Sequence, residues 1–191
     1  MRLLKLVTAP TGNVVSLEDC KAQARIDHNE EDVLLEGYIK MATDRAEYLL
    51  NAKLLTQTWD WFLDEFPPCD LESPLAPLVT VDSIKYYDGV NALQTWAPTN
   101  YEVDAAGLVP RIVKAKDVTW PETYARINAV QIQVTVGYGA SAAVPQAIKH
   151  WITAAVAESY KARELTKEGK PETSASFIDG LLDPYRVPYV Q

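Results

Sequence analysis

The sequence predicts an α+β protein: a helical domain built from both ends of the chain, with an inserted antiparallel β domain. Three observations lead there. Apolar residues recur at helical spacing near residues 16–54 and again near 145–168. Between them lies an aromatic, acidic stretch of short alternating segments and turn signals. No helical pattern interrupts that stretch, which argues against βαβ units and for antiparallel pairing. The expected boundaries are 1–55 and 141–191 for the helical domain with its C-terminal tail, and 56–140 for the β insert.

Residues 1–15 read as an extended arm with Leu4, Leu6 and Val7, closed by the turn signal Ala9-Pro10-Thr11-Gly12-Asn13. Ser16 three residues before Asp19 approximates a capping box, so a short helix is expected over 17–26. Asp27-His28-Asn29 breaks it. Asn29 is positioned to cap a second helix whose first turn holds Glu30, Glu31 and Asp32 at the positive end of the helix dipole. Leu35, Ile39, Ala42, Ala46 and Leu49 form its apolar stripe.

Strand character begins at Thr56. Trp59, Trp61 and Leu63 alternate with Thr58, Asp60, Phe62 and Asp64 until Pro67-Pro68 ends the run. Pro74 and Pro77 keep the next stretch extended. Residues 79–87 read as a strand, Asp88-Gly89 as a hairpin turn, and 93–96 as the return. Residues 101–103 and 108–113 are short candidates. Residues 130–136 alternate Val, Ile, Val, Val with polar partners and give the clearest strand. Pro145 suits the first turn of the last long helix, whose expected stripe is Ile148, Ile152, Ala155, Ser159 and Ala162 with Trp151 beside it. Residues 167–171 read as a stop and linker, and 177–182 as a short helix before the tail.

Charge narrows the function classes. The net charge is −8, and residues 56–140 carry 11 acids against 5 bases. Such a surface repels phosphates, so a sequence-reading nucleic-acid binder lacks its basic footprint. It can still line a passage through which DNA slides. No signal peptide is expected, and no apolar run reaches the ~18 residues of a membrane span. Cys20 and Cys69 fit no C-x-x-C spacing and read as reduced buried thiols, with a structural disulfide as the alternative.

The strongest enzyme-like match is Gly137-Tyr138-Gly139-Ala140-Ser141-Ala142, a G-x-G-x-x-A after a strand. No βαβ unit follows it, and the acid about 20 positions on, Glu158, falls inside a helix. The turn therefore reads as a re-entry into the helical domain. His28 and His150 lack any metal-ligand spacing, and no G-x-S-x-G elbow is present. No catalytic, cofactor or metal residue is assigned. Trp59, Trp61, Trp96 and Trp120 define the alternative function, a carbohydrate-binding module with exposed indoles; packing in the core competes with it. The tail residues Tyr185, Val187, Tyr189 and Val190, stiffened by Pro184 and Pro188, either fold back on their own domain or insert into a partner.

The pattern resembles the phage head–tail connector proteins, also called adaptor or head-completion proteins, in the branch with a β insert found in tailed phages and gene transfer particles. The stretches that carry the resemblance are Ser16-Leu17-Glu18-Asp19-Cys20-Lys21-Ala22-Gln23, Leu55-Thr56-Gln57-Thr58-Trp59, residues 75–88, Trp120-Pro121, Val136-Gly137-Tyr138-Gly139, Val144-Pro145-Gln146-Ala147-Ile148-Lys149 and Leu181-Leu182-Asp183-Pro184-Tyr185-Arg186. The resemblance implies a structural virion protein, not an enzyme and without cofactor, assembled in the host cytoplasm. It implies a ring, typically of twelve neighbouring adaptor subunits, docked on the portal protein at the capsid vertex. It further implies a DNA channel without sequence-specific binding, a platform for a tail or stopper protein, and no membrane partner. By the same resemblance the portal-binding residues are Leu182, Pro184, Tyr185, Arg186, Val187 and Tyr189.

Overall fold

The computed structural model describes residues 3–161 and 180–188. They form an α+β fold of three α-helices and two antiparallel sheets. The chain divides into two compact units. One comprises residues 1–11, 55–138 and 187–191; the other comprises 12–54 and 139–186.

In the helical unit, Ser16 caps α1 (Leu17–Ala24) by accepting a hydrogen bond from the Asp19 N–H at 3.0 Å. The helix stops two residues before the expected end because Arg25 adopts left-handed angles, φ 59°. The Arg25 and Ile26 N–H groups then bond back to the Ala22 and Lys21 carbonyls. Helix α2 (Asp32–Leu50) closes in the same way through Asn51, φ 52°. The expected Asn29 cap is not formed. Glu31 holds the capping position without a side-chain bond, while the Asn29 side-chain oxygen Oδ1 accepts from Lys21 Nζ at 2.6 Å. Lys21 also bonds Asp32 at 2.7 Å, tying the start of α2 to α1.

The buried stripe of α2 is Leu35, Ile39, Ala42, Ala46 and Leu50, so it closes on Leu50 and leaves Leu49 half-buried. In α3 (Gln146–Lys161) the buried face is Ile148, Trp151, Ile152, Val156 and Ala157. That face is rotated from the expected Ala155–Ser159 line, because the large Trp151 and Val156 side chains offer more apolar area than Ala155 and Ser159. Ala162 lies outside the described residues. The Tyr160 hydroxyl donates to Glu31 and links α3 to the entry of α2.

The β unit holds a five-stranded sheet in the order β1-β2-β8-β4-β5. Its strands are β1 (Leu3–Thr8), β2 (Gln57–Leu63), β4 (Leu78–Tyr87), β5 (Leu93–Trp96) and β8 (Val130–Val136). A second sheet has the order β3-β7-β6, from β3 (Leu71–Glu72), β6 (Tyr101–Asp104) and β7 (Arg111–Lys114). The N-terminal arm is thereby corrected. It is an edge strand paired to β2, Leu4 opposite Trp61, and it belongs to the β unit. β8 is central because its alternation leaves Val130, Ile132, Val134 and Val136 all at 0% exposure against Trp61, Ile84 and Trp96. β3 has only two residues and no alternation to reveal it.

Candidate functional site

The predicted anchor residues lie in and beside a short 3-10 turn, Asp183–Tyr185. Pro184 provides the fixed φ that starts such a turn, and the Arg186 N–H closes it on the Asp183 carbonyl. Leu182 is 1% exposed and Val187 8% exposed, so both side chains are already covered within their own chain. Pro184 and Arg186 are exposed and Tyr185 half-buried. The Arg186 guanidinium stands 3.5 Å from Asp183, a pair open to solvent on both sides. Tyr189 and Val190 lie outside the described residues, as do the linker and residues 177–179 of the expected short helix. Among the described anchor residues, Pro184, Tyr185 and Arg186 are therefore the ones left accessible.

The other sequence candidates find structural explanations. At the Gly137–Ala142 turn, Gly137 has φ +115° and Gly139 φ +125°. A Cβ on Gly137 would fall 2.3 Å from the Leu55 carbonyl oxygen, so this glycine permits close passage of two backbone segments. A 3-10 turn at Ser141–Ala143 separates it from α3, so no helix start faces it. The indoles do not form a sugar platform. Trp61 is 1% and Trp96 5% exposed, while Trp120 stacks on Phe66 at 4.9 Å and 6° and donates to the Cys69 carbonyl. Trp59 donates to the Gln57 side chain at 2.9 Å and packs on the same core.

His28 sits in the loop between α1 and α2, 3.0 Å from Glu30. His150 lines a cleft of about 460 Å³ between α1 and α3, together with Asp19 and Lys149. Among the described residues no group of His, Cys, Asp and Glu could hold a metal ion, and no helix is long and apolar enough to cross a membrane. Burial pushes the Cys20 thiol up to about 11, helped by the nearby Asp19 charge, which makes it a packed apolar group and no nucleophile.

One surface escaped the sequence reading. The register aligns Phe62, Gln131, Lys85 and Thr95 across β2, β8, β4 and β5, on the face opposite Trp61 and Ile84. At the end of this row a groove of about 170 Å³ is lined by Phe62, Lys85, Tyr87, Leu93, Arg126 and Gln131, among others. The signal was two cations within an acidic segment, but only strand register brings residues 85 and 126 together.

The likeness to known proteins is now interpretable. Residues 14–95, which run from before α1 through most of β5, match the family described as phage gp6-like head-tail connector protein. Over those residues, 82 of 191, the chain is similar to the head–tail connector family. Its fold also matches chains from gene transfer agent (GTA) particles, each at 20% identity over 99% of this chain and 97% of theirs. These come from the neck of an empty particle computed with C6 symmetry (TM-score 0.81), the virion of the native particle (0.80) and the native neck computed with C12 symmetry (0.73). No curated protein matches the sequence. The family match includes both helices of the N-terminal half. The tail and the last helix lie beyond the matched residues.

Proposed function

We propose that this chain is a head–tail connector, a virion adaptor that closes as a ring, docks on a portal, extends the DNA channel and offers a platform to a tail or stopper protein. It acts by contact alone, with neither catalysis nor cofactor. The observation that carries this reading is the family match over residues 14–95. The necks computed with C6 and C12 symmetry, whose chains share the fold, support a ring of twelve. A modest interface repeated around a closed ring gives a stable assembly without any single strong contact. The net charge of −8 suits a conduit that DNA traverses without adhering.

Within the tail, Pro184, Tyr185 and Arg186 are the proposed portal contacts, with Arg186 pairing an acidic portal surface. Leu182 and Val187 contribute by fixing the segment at both ends, and Tyr189 extends it. Because Leu182 and Val187 are buried, deleting 182–191 would also remove core side chains. The sharper test is Arg186→Glu in the full chain. Its melting temperature should stay within about 2 °C of the parent, since an exposed i,i+3 pair contributes little. Its incorporation into portal-bearing heads should fall. Unchanged incorporation would remove Arg186 from the contact, and an averaged electron-microscopy map without the chain at the head–tail junction would remove the whole reading.

A further inference from the structure

The β unit is acidic, yet its sheet-face groove is not. Of the five bases in residues 56–140, Arg111 is paired with Asp104 at 2.7 Å, and Lys114 lies over the Trp120 ring. Lys85 and Arg126 share the groove rim and have no carboxylate partner among the described residues. Arg126 is held in place instead, 4.0 Å above the Tyr87 ring and bonded to Asn91. Phe62 and Leu93 line the same groove, Leu93 being 55% exposed, and Ile127, next to Arg126 in sequence, is 77% exposed. Two cations, one of them held in place, in a lining that also offers Phe62 and Leu93 are complementary to a surface that is acidic with an aliphatic projection.

The same chain carries such a surface. On the three-stranded sheet, the register puts Glu72 opposite Arg111 and Arg111 opposite Asp104, with Glu102 two residues along on the same face. Arg111 is the only base of this group and is already committed to Asp104, so Glu72 and Glu102 remain in excess. Leu108, in the β6–β7 loop, is 57% exposed. None of these residues lines the chain's own groove. We infer that the Lys85–Arg126 groove receives the acidic β6–β7 face of a second copy of this chain, with Leu108 against Phe62 and Leu93. Different elements meet at this contact, so it is heterologous, the kind that closes rings when the rotation per copy divides the circle. The inference rests on the ring reading and names one contact within it. A nucleic-acid phosphate is the competing occupant, disfavoured by the surrounding acidic surface.

The test uses the full chain as an equal mixture of ¹⁴N- and ¹⁵N-labelled protein, raised in concentration and treated with a carbodiimide, which joins a lysine directly to a carboxylate in contact. Mixed-isotope peptides joining Lys85 to Glu72 or Glu102 are expected. Lys85→Glu with Arg126→Glu should weaken self-association at least about tenfold, as should Glu72→Lys with Glu102→Lys, and mixing the two variants should restore it. Self-association that ignores both charge reversals overturns the inference and leaves the ring reading standing, as does a chain that stays monomeric throughout while particle images still show a ring. Loss of DNA retention instead of self-association in the Lys85/Arg126 variant would overturn it in favour of the phosphate. Absence from the neck would end the ring reading instead.

Discussion

Replacing Gly137 with alanine probes the joint where the β unit's last strand ends. Two costs can be read from the geometry. At φ +115° an L-residue is held in a region it rarely adopts, which costs about 1–3 kcal/mol. The added Cβ would also sit 2.3 Å from the Leu55 oxygen, 2.6 Å from its carbon and 2.9 Å from the Thr56 nitrogen. Those are backbone atoms and cannot swing away, so the two segments must separate, at a further ~1–3 kcal/mol. Separation also strains the Gly137 N–H bond to the Pro77 carbonyl, now 2.9 Å. Alanine restricts the unfolded chain and returns about 0.4–1 kcal/mol. The net loss is about 1–6 kcal/mol. At about 2–4 °C per kcal/mol for a chain of this size, a 3 kcal/mol loss lowers the melting temperature by about 6–12 °C.

The assay is denaturant unfolding followed by tryptophan emission, because Trp59, Trp61, Trp96 and Trp120 all report on the β unit and only Trp151 on the helical one. Two alanine controls separate the costs. Gly139 shares the left-handed φ but its Cβ would meet only the Ala143 methyl at 3.3 Å, so strain dominates and the loss should be smaller. Gly89 has open space within 4 Å and an ordinary φ, so its substitution should be neutral to within about 0.5 kcal/mol. A Gly137→Ala variant no less stable than Gly89→Ala would refute the reasoning, since the close passage of Leu55 past residue 137 is then not a constraint on the fold.

Other outcomes follow from single contacts. Ser16→Ala removes the α1 cap and should cost about 0.5–2 kcal/mol in a thermal melt, with Ser16→Asp recovering most of it. An aromatic disulfide reagent near neutral pH should label one thiol, the exposed Cys69, and reach the second only on unfolding, because Cys20 is buried and its thiol is pushed up to about 11. The N–H of Ala92, then the Gln94 side chain and the Val90 N–H, hold the Asp88 carboxyl below its usual range. A folded-state value below the unfolded one stabilises at pH above the unfolded value of about 3.8 and is lost as pH falls through the lowered one. The melting temperature should therefore drop as pH falls below about 4, and less steeply in Asp88→Asn.

How much of this was legible depended on whether the signal was local. The strand at Val130–Val136 and the return at Leu93–Trp96 were read to the residue because alternation and an Asp-Gly turn are contained in a few positions. Ser16 as a cap was legible for the same reason. The ends of α1 and α2 were not, because Arg25 and Asn51 take left-handed angles that glycine usually supplies, and nothing in a lone arginine announces that. Asn29 failed as a cap because Lys21, eight residues earlier, competes for its oxygen. The N-terminal arm was misplaced for a longer-range reason. Its partner β2 begins nearly fifty residues later, and only the pairing reveals that Leu4 faces Trp61.

The candidate sites show the same division by range. The tail stood out by composition, yet composition cannot tell a sticky segment from one already docked, and burial of Leu182 and Val187 narrows the free surface to Pro184, Tyr185 and Arg186. The tryptophans looked equally available from sequence until stacking of Trp120 on Phe66, and of Trp96 on Tyr101 at 5.5 Å, assigned them to the core. The groove was invisible because its cations come from β4 and from the segment before β8, 41 positions apart, and only strand register gathers them. A protein that worked by repeated contact, as proposed, would have its function in such gathered surfaces. Charge balance averaged over 56–140 hid this pair of cations: under the proposed contact, uniformly acidic copies would repel their neighbours, whereas a local reversal of sign would let one copy hold the next.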